Sequence, residues 1–128
     1  MYEATRQIAP GAIFAGFRNQ SELPAFYDLA DLLVVPSRRE PWGLVVNEAM
    51  ACGTAVVASD EVGAAYDLIG TDTGGIFRAG DVDGLAALLA DCLVRAEALG
   101  EAARRRIAQW DFEAGVQGLK AALQAVVR

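Results

Sequence analysis

At 128 residues the chain suits one domain and can bury a sizeable core, since a chain of this length hides roughly two thirds of its unfolded surface. Hydrophobic residues make up 54% of it and charged residues 22%, which excludes the disordered and fibrous classes. A net charge of −6 without a basic stripe argues against nucleic acid as a partner, and the lack of histidine excludes a Ser-His-Asp triad and disfavours zinc.

Residues 1–10 read as a lead-in or the end of a helix, without the basic and then apolar pattern of a secretory leader. An apolar strand is expected over 12–17, ending at Gly16, followed by a turn at 18–20. Ser21 is placed to cap the next helix through its hydroxyl, with Glu22 at the positive end of the dipole and Pro24 tolerated in the first turn. Leu23, Phe26, Tyr27 and Ala30 form its core-facing stripe. Residues 32–35 read as a buried strand, apolar on both faces as parallel strands are. A polar bend over 36–43 leads into a helix that begins near Gly43 and stops at Gly53, where a left-handed residue is easiest for glycine.

The next strand is expected over 54–58, then a loop over 60–70 with a helical turn at 65–69, and a last short strand over 75–77. Asp81 reads as the N-cap of a helix whose Leu85, Leu88, Leu89, Cys92 and Leu93 follow helical spacing. A further helix over 99–109 carries Arg104, Arg105 and Arg106 on a solvated face, residues 110–112 interrupt it, and a closing helix over 113–127 sets Val116, Leu119, Leu123 and Val127 on one side. Apolar runs are broken by Pro36, Asn47, Glu48 and Asp91, far short of the ~20 residues that span a bilayer. Cys52 and Cys92 lack metal or secreted-scaffold spacing and read as buried free thiols of a reducing, cytoplasmic compartment.

Helices joining parallel strands belong to open α/β sheets, where ligands bind beyond the carboxyl ends of the strands. The bend at 36–43 is therefore the expected site. Glu40 and Glu48 flank it. Glu48 sits among Val45, Val46, Ala49, Met50, Ala51 and Cys52, and a carboxylate in such company needs a hydrogen-bonding partner unless it runs along the polar edge of the helix beside Asn47. At the helix start the N–H groups of Trp42, Gly43 and Leu44 are expected to be free, an arrangement that holds an anion; alternatively Gly43 only permits a tight turn.

The segment resembles the signature of retaining nucleotide-sugar glycosyltransferases of family 4 (group 1), which have the two-domain GT-B fold. The matching residues are Pro36, Ser37, Glu40, Trp42, Gly43, Leu44, Glu48, Ala49, Met50, Ala51, Gly53, Val56, Val57, Ala58 and Ser59, and they include the family's E-x7-E pattern as Glu40 and Glu48. The likeness extends upstream to Phe14, Ala15, Gly16 and Phe17 and downstream to Val62, Gly63, Ala64 and Ala65, covering about the first 95 residues and more loosely the tail.

The resemblance implies a partial Rossmann-like open parallel sheet, a GT-B C-terminal domain lacking its first two strands, with residues 1–128 as a single, incomplete nucleotide-sugar-binding domain. It implies transfer of a sugar from a nucleotide-diphosphate donor with retention, without metal or other cofactor. Glu40 would touch the transferred sugar as the catalytic residue, Trp42, Gly43 and Leu44 would meet the diphosphate and sugar, and Glu48 would accept hydrogen bonds from the ribose hydroxyls. Gly16 and Phe17 would approach the base, although an aromatic there serves equally as core, and for Trp42, where relatives often have another aromatic, packing is the favoured role. Gly63 falls where relatives have two glycines near the sugar, and Ala64 replaces the second. Arg38 and Arg39 are either phosphate ligands or a solvated loop edge.

In the same family an acceptor-binding N-terminal domain precedes this part, and an upstream Arg and Lys neutralise the leaving diphosphate. No matching pair stands in this sequence, so the isolated chain is expected to be inactive. The missing strands would leave an exposed sheet edge, to be re-paired or covered by self-association with a second copy. The longer parent is expected in the cytoplasm, with peripheral attachment at the inner membrane face as an option. A different class of function is a non-catalytic nucleotide-sugar-binding or assembly module. A receiver or other phospho-ligand domain has little support, since neither a G-x-G-x-x-G nor a Walker loop occurs.

Overall fold

The computed structural model describes residues 7–127, so the first part of the expected lead-in lies outside the described residues. The element order is α1 (Leu23–Asp28), β1 (Leu32–Val35), α2 (Leu44–Cys52), β2 (Ala55–Ser59), α3 (Gly63–Leu68), β3 (Gly74–Phe77), α4 (Val82–Val94), α5 (Ala96–Ile107) and α6 (Phe112–Val126). The three strands form one parallel sheet in the order β1-β2-β3, with Leu33 beside Val56 and Val57 beside Gly75. This is the open α/β sheet with flanking helices that the strand and helix pattern implied.

β2 lies in the middle and is buried along its whole length, which its small and β-branched residues permit on both faces. Val56 and Ala58 face one layer, packing with Val46, Met50 and Leu68 of α2 and α3 and with Tyr27 of α1. Ala55 and Val57 face the other, against Phe77, Cys92 and Leu99, with Leu85, Leu88 and Leu89 of α4 at its edge. Helix α5 reaches both layers, through Leu99 on one side and Ala103 and Ile107 on the other.

Several expectations need correction. Residues 12–17 form no strand, and Phe17 is 94% exposed. A short apolar run holds as a strand only against a ladder partner. Among the described residues the edge of β1 is not re-paired. Ser21 does not cap α1. Asn19 Oδ1 accepts from the Ser21 and Glu22 amides at 3.1 and 3.2 Å and from the Ser21 hydroxyl at 2.6 Å, an Asx turn that engages that hydroxyl. Helix α1 is only six residues long, so of its expected stripe Tyr27 is buried and Leu23 half-buried, while Phe26 lies outward under the Arg18 guanidinium.

Leu93 is exposed, and α6 buries none of its residues, so its apolar side is uncovered among the described residues. The arginines of α5 are not simply a solvated face. Arg104 Nη2 donates to the Cys52 carbonyl at 2.6 Å, and Arg106 donates to the Leu68 carbonyl and to both carboxylate oxygens of Asp72. The carbonyls at the carboxyl ends of α2 and α3 lack helical partners, and a guanidinium supplies donors to them. Arg105 alone fits the expectation, paired in solvent with Glu101.

Candidate functional site

Because the strands are parallel, α2, α3 and α4 all begin at the same edge of the sheet, beyond the carboxyl ends of β1, β2 and β3. Asp81 caps α4 by accepting from the Gly84 amide at 2.9 Å. The loops feeding α2 and α3 are knitted together. Glu40 N donates to Glu61 O at 2.9 Å, Gly63 N to Glu40 O at 3.0 Å and Ala64 N to Trp42 O at 2.8 Å, and the Ser59 hydroxyl donates to the Ser37 carbonyl. A Cβ on Gly63 would stand 2.1 Å from the Pro41 carbonyl oxygen, so only glycine lets the two loops approach this closely.

Gly43 precedes α2 with φ 93°, a left-handed conformation that glycine adopts without steric cost. It turns the chain so that Leu44, 67% exposed, and Val45 start the helix facing outward. Among the described residues the Gly43, Leu44 and Val45 amides have no backbone or side-chain acceptor. The Trp42 amide differs from expectation: it donates to Glu40 Oε1 at 3.3 Å, because the bend carries the Glu40 carboxylate back over its own loop. The Trp42 indole N–H donates to Asn47 Oδ1 at 3.0 Å, and its ring packs against Trp110 with centroids 6.3 Å apart.

Glu48 is half-buried and has a partner. The Tyr27 hydroxyl donates to Glu48 Oε2 at 2.8 Å, and Tyr27 itself is 8% exposed. Burial, reinforced by the hydrogen bond to the Glu48 carboxylate and by its charge, pushes the Tyr27 phenol up to about 12. Glu48 forms a wall common to two hollows. One, of about 260 Å³, is lined by Gln20, Leu23, Pro24, Tyr27 and Cys52; the other, of about 470 Å³, by Asn47, Arg104, Ile107 and Trp110.

The structure therefore brings Glu40, Trp42, Gly43, Leu44 and Gly63 together in the knitted loops, with Glu48 one turn further along α2. Gly16 and Phe17 line neither hollow. Arg38 and Arg39 are exposed, and Arg38 borders a small recess with Phe77 and Asp81. Tyr27, Asn47 and Trp110 escaped the sequence reading. A signal for Tyr27 existed, because a tyrosine in a core stripe needs a partner for its hydroxyl just as Glu48 needs a donor. Among the described residues no cluster of acidic, cysteine or histidine side chains could hold a metal ion, and no helix is long and apolar enough to cross a membrane.

Known proteins resemble the chain in sequence and in fold. The chain is 38% identical over 117 residues to a sulfoquinovosyl transferase of Arabidopsis thaliana, and 39% identical over 107 residues to a D-inositol 3-phosphate glycosyltransferase of Salinispora arenicola. These alignments cover 85% and 77% of the chain, which spans only 22% of either relative. Among solved structures, sucrose-phosphate synthase of Thermosynechococcus elongatus superposes with a TM-score of 0.80 at 33% identity, over 97% of this chain and 34% of that one. HepE of Anabaena in complex with UDP superposes at 0.74 and 27% identity, over 98% of this chain and 36% of that one. The family model for glycosyl transferases group 1 matches residues 4–106, most of the chain, and the chain accordingly belongs to that family.

Proposed function

We propose that residues 1–128 form the donor-binding part of a glycosyltransferase that moves a sugar from a nucleotide diphosphate to an acceptor held by another domain, with retention and without a metal. The observation that carries this reading is α2 itself. Among the described residues its first amides are unengaged at the sheet edge, and Glu48 one turn on is held half-buried by Tyr27 beside open space. Unpaired amides at a helix start suit a diphosphate, and a carboxylate with an uncommitted oxygen suits the two hydroxyls of a pentose. HepE, which shares this fold, is described with UDP and with UDP-glucose, and that makes a uridine nucleotide the first ligand to try.

In this reading Glu40 and the amides of Gly43 and Leu44 face the transferred sugar and diphosphate, with Trp42 and Gly63 shaping the lip and Gly16 and Phe17 on the base side. The bond between the anomeric carbon and the leaving phosphate oxygen breaks as the acceptor oxygen bonds to that carbon on the same face, and the acceptor proton passes to the phosphate. The isolated chain has little to neutralise a departing diphosphate and is inactive alone. The longer parent works in the cytoplasm, and the free edge of β1 pairs with a second copy in the isolated chain.

Calorimetry with UDP-sugars, GDP-sugars and ADP-sugars on a longer parent, before and after Glu48→Ala, tests the assignment. The variant is expected to weaken the nucleotide itself, and unchanged affinity would reduce Glu48 to scaffold. Sedimentation of the isolated chain tests the edge: a monomer at every concentration would refute pairing.

A further inference from the structure

We propose that Tyr27 is a positioning residue for Glu48, fixing one carboxylate oxygen so that the other is presented to the hydroxyls of a bound pentose; this rests on the reading of Glu48 given above. Among the described residues the Tyr27 hydroxyl is the single hydrogen-bond donor to the Glu48 side chain, at 2.8 Å to Oε2. Tyr27 is well placed to hold that oxygen still. Its ring lies in the core with Val46, Met50 and Leu68. Its own carbonyl accepts from the Thr54 hydroxyl at 2.7 Å and from the Ala30 amide at 3.0 Å, so the end of α1 is tied to the start of β2.

The bond runs from a neutral donor to a carboxylate that keeps its charge and its remaining lone pairs, and Oε1 takes no hydrogen bond from the described residues. A glutamate on an open helix face otherwise samples several rotamers and must lose that freedom when it grips a ligand. Fixing it beforehand is worth roughly two- to tenfold in affinity, because an immobilised side chain typically forfeits 0.5–1.5 kcal/mol. The gain falls only on ligands that carry the hydroxyls. Packing by Tyr27 would strengthen every ligand alike.

The test uses the 128-residue chain with UDP and 2′,3′-dideoxy-UDP as probes, titrated by NMR so that weak binding is measurable. The native chain is expected to prefer UDP, and Glu48→Gln to abolish that preference. Tyr27→Phe, which keeps the buried ring, is expected to lower the preference roughly two- to tenfold while leaving affinity for the dideoxy compound unchanged. Full preference in Tyr27→Phe alongside its loss in Glu48→Gln would overturn the positioning role and leave the assignment of Glu48 intact. Equal weakening of both probes would also overturn it, as a packing effect. A native chain without preference, or one whose preference survives Glu48→Gln, would remove the underlying reading and this role with it. Should Tyr27→Phe fail to fold, the ring signals of Tyr27 in the native chain decide: they are expected to shift with UDP more than with the dideoxy compound, and equal shifts would refute the proposal.

Discussion

Gly63→Ala is the sharpest perturbation of the knitted loops. A Cβ there would sit 2.1 Å from the Pro41 carbonyl oxygen, more than an ångström short of ordinary contact, with the Pro41 carbonyl carbon at 3.0 Å behind it. Both obstacles are backbone, so relief comes only from parting the loops. That stretches the Gly63 N to Glu40 O and Ala64 N to Trp42 O bonds, now 3.0 and 2.8 Å. Two strained or broken hydrogen bonds at about 1 kcal/mol each, with about 1–3 kcal/mol for the overpacked contact, give an expected loss of roughly 3–5 kcal/mol. Against a total of about 5–15 kcal/mol for a typical domain, that is a large fraction. Urea unfolding followed by circular dichroism and tryptophan emission measures it, and both signals should move because Trp42 lies in the strained loop. A loss below about 1 kcal/mol would show that the loops yield freely and that their register does not depend on glycine.

The Tyr27 phenol adds a pH dependence. Its folded-state value of about 12 lies above the ordinary 10, so the unfolded chain releases the proton first; stability is intact below pH 10 and falls as pH rises towards 12. The slope is at most about 1.4 kcal/mol per pH unit, and Tyr27→Phe should flatten the stability profile in that window; an equally steep profile would disprove the link. The chain's two tryptophans are the two members of the 6.3 Å pair, so Trp110→Phe is expected to remove a coupled near-ultraviolet circular dichroism band and to red-shift the remaining emission. Unchanged spectra would mean that the rings do not pack in solution. Gly118→Ala meets no atom within 4 Å on a helix that buries nothing, and should raise far-ultraviolet helicity by favouring α6, by up to about 1 kcal/mol, without moving the global urea midpoint. A raised midpoint would reveal that α6 unfolds with the core.

What the sequence made legible was whatever local chemistry decides. Gly53 stops α2 in a left-handed conformation and Asp81 caps α4 through its carboxylate, both as their residue types demand. Two short apolar runs flanking one helix marked two parallel strands, and the structure pairs Leu32–Val35 with Ala55–Ser59, the second one residue later than expected. Residues 12–17 misled because an apolar run states only that burial is favourable, while a strand also needs a ladder beside it. Ser21 does not cap α1 because Asn19 draws its hydroxyl and amide into an Asx turn, and the helix starts after Glu22 without a side-chain cap. At the bend, the resemblance points to Glu40, Gly43 and Glu48, and the structure sets Glu40 and Gly43 in one knitted loop with Glu48 half-buried one turn further on. The unmet hydroxyl of Tyr27 was a signal that went unread, while Trp110, far beyond Trp42 in sequence, gave none, since its contact exists only after folding.

The grip of Arg104 on the Cys52 carbonyl has a consequence for the order of synthesis. Glu40, Gly43, Glu48 and Gly63 lie in the first half of the chain, yet the guanidinium that fastens the far end of α2 and the indole that backs Trp42 and lines the second hollow are made only after residue 103. A ribosome releasing this polypeptide would expose α2 well before its brace emerges, so the hollow beside it takes its final shape late. Any nascent chain cut short ahead of Arg104 carries α2 without the clasp that fastens its far end.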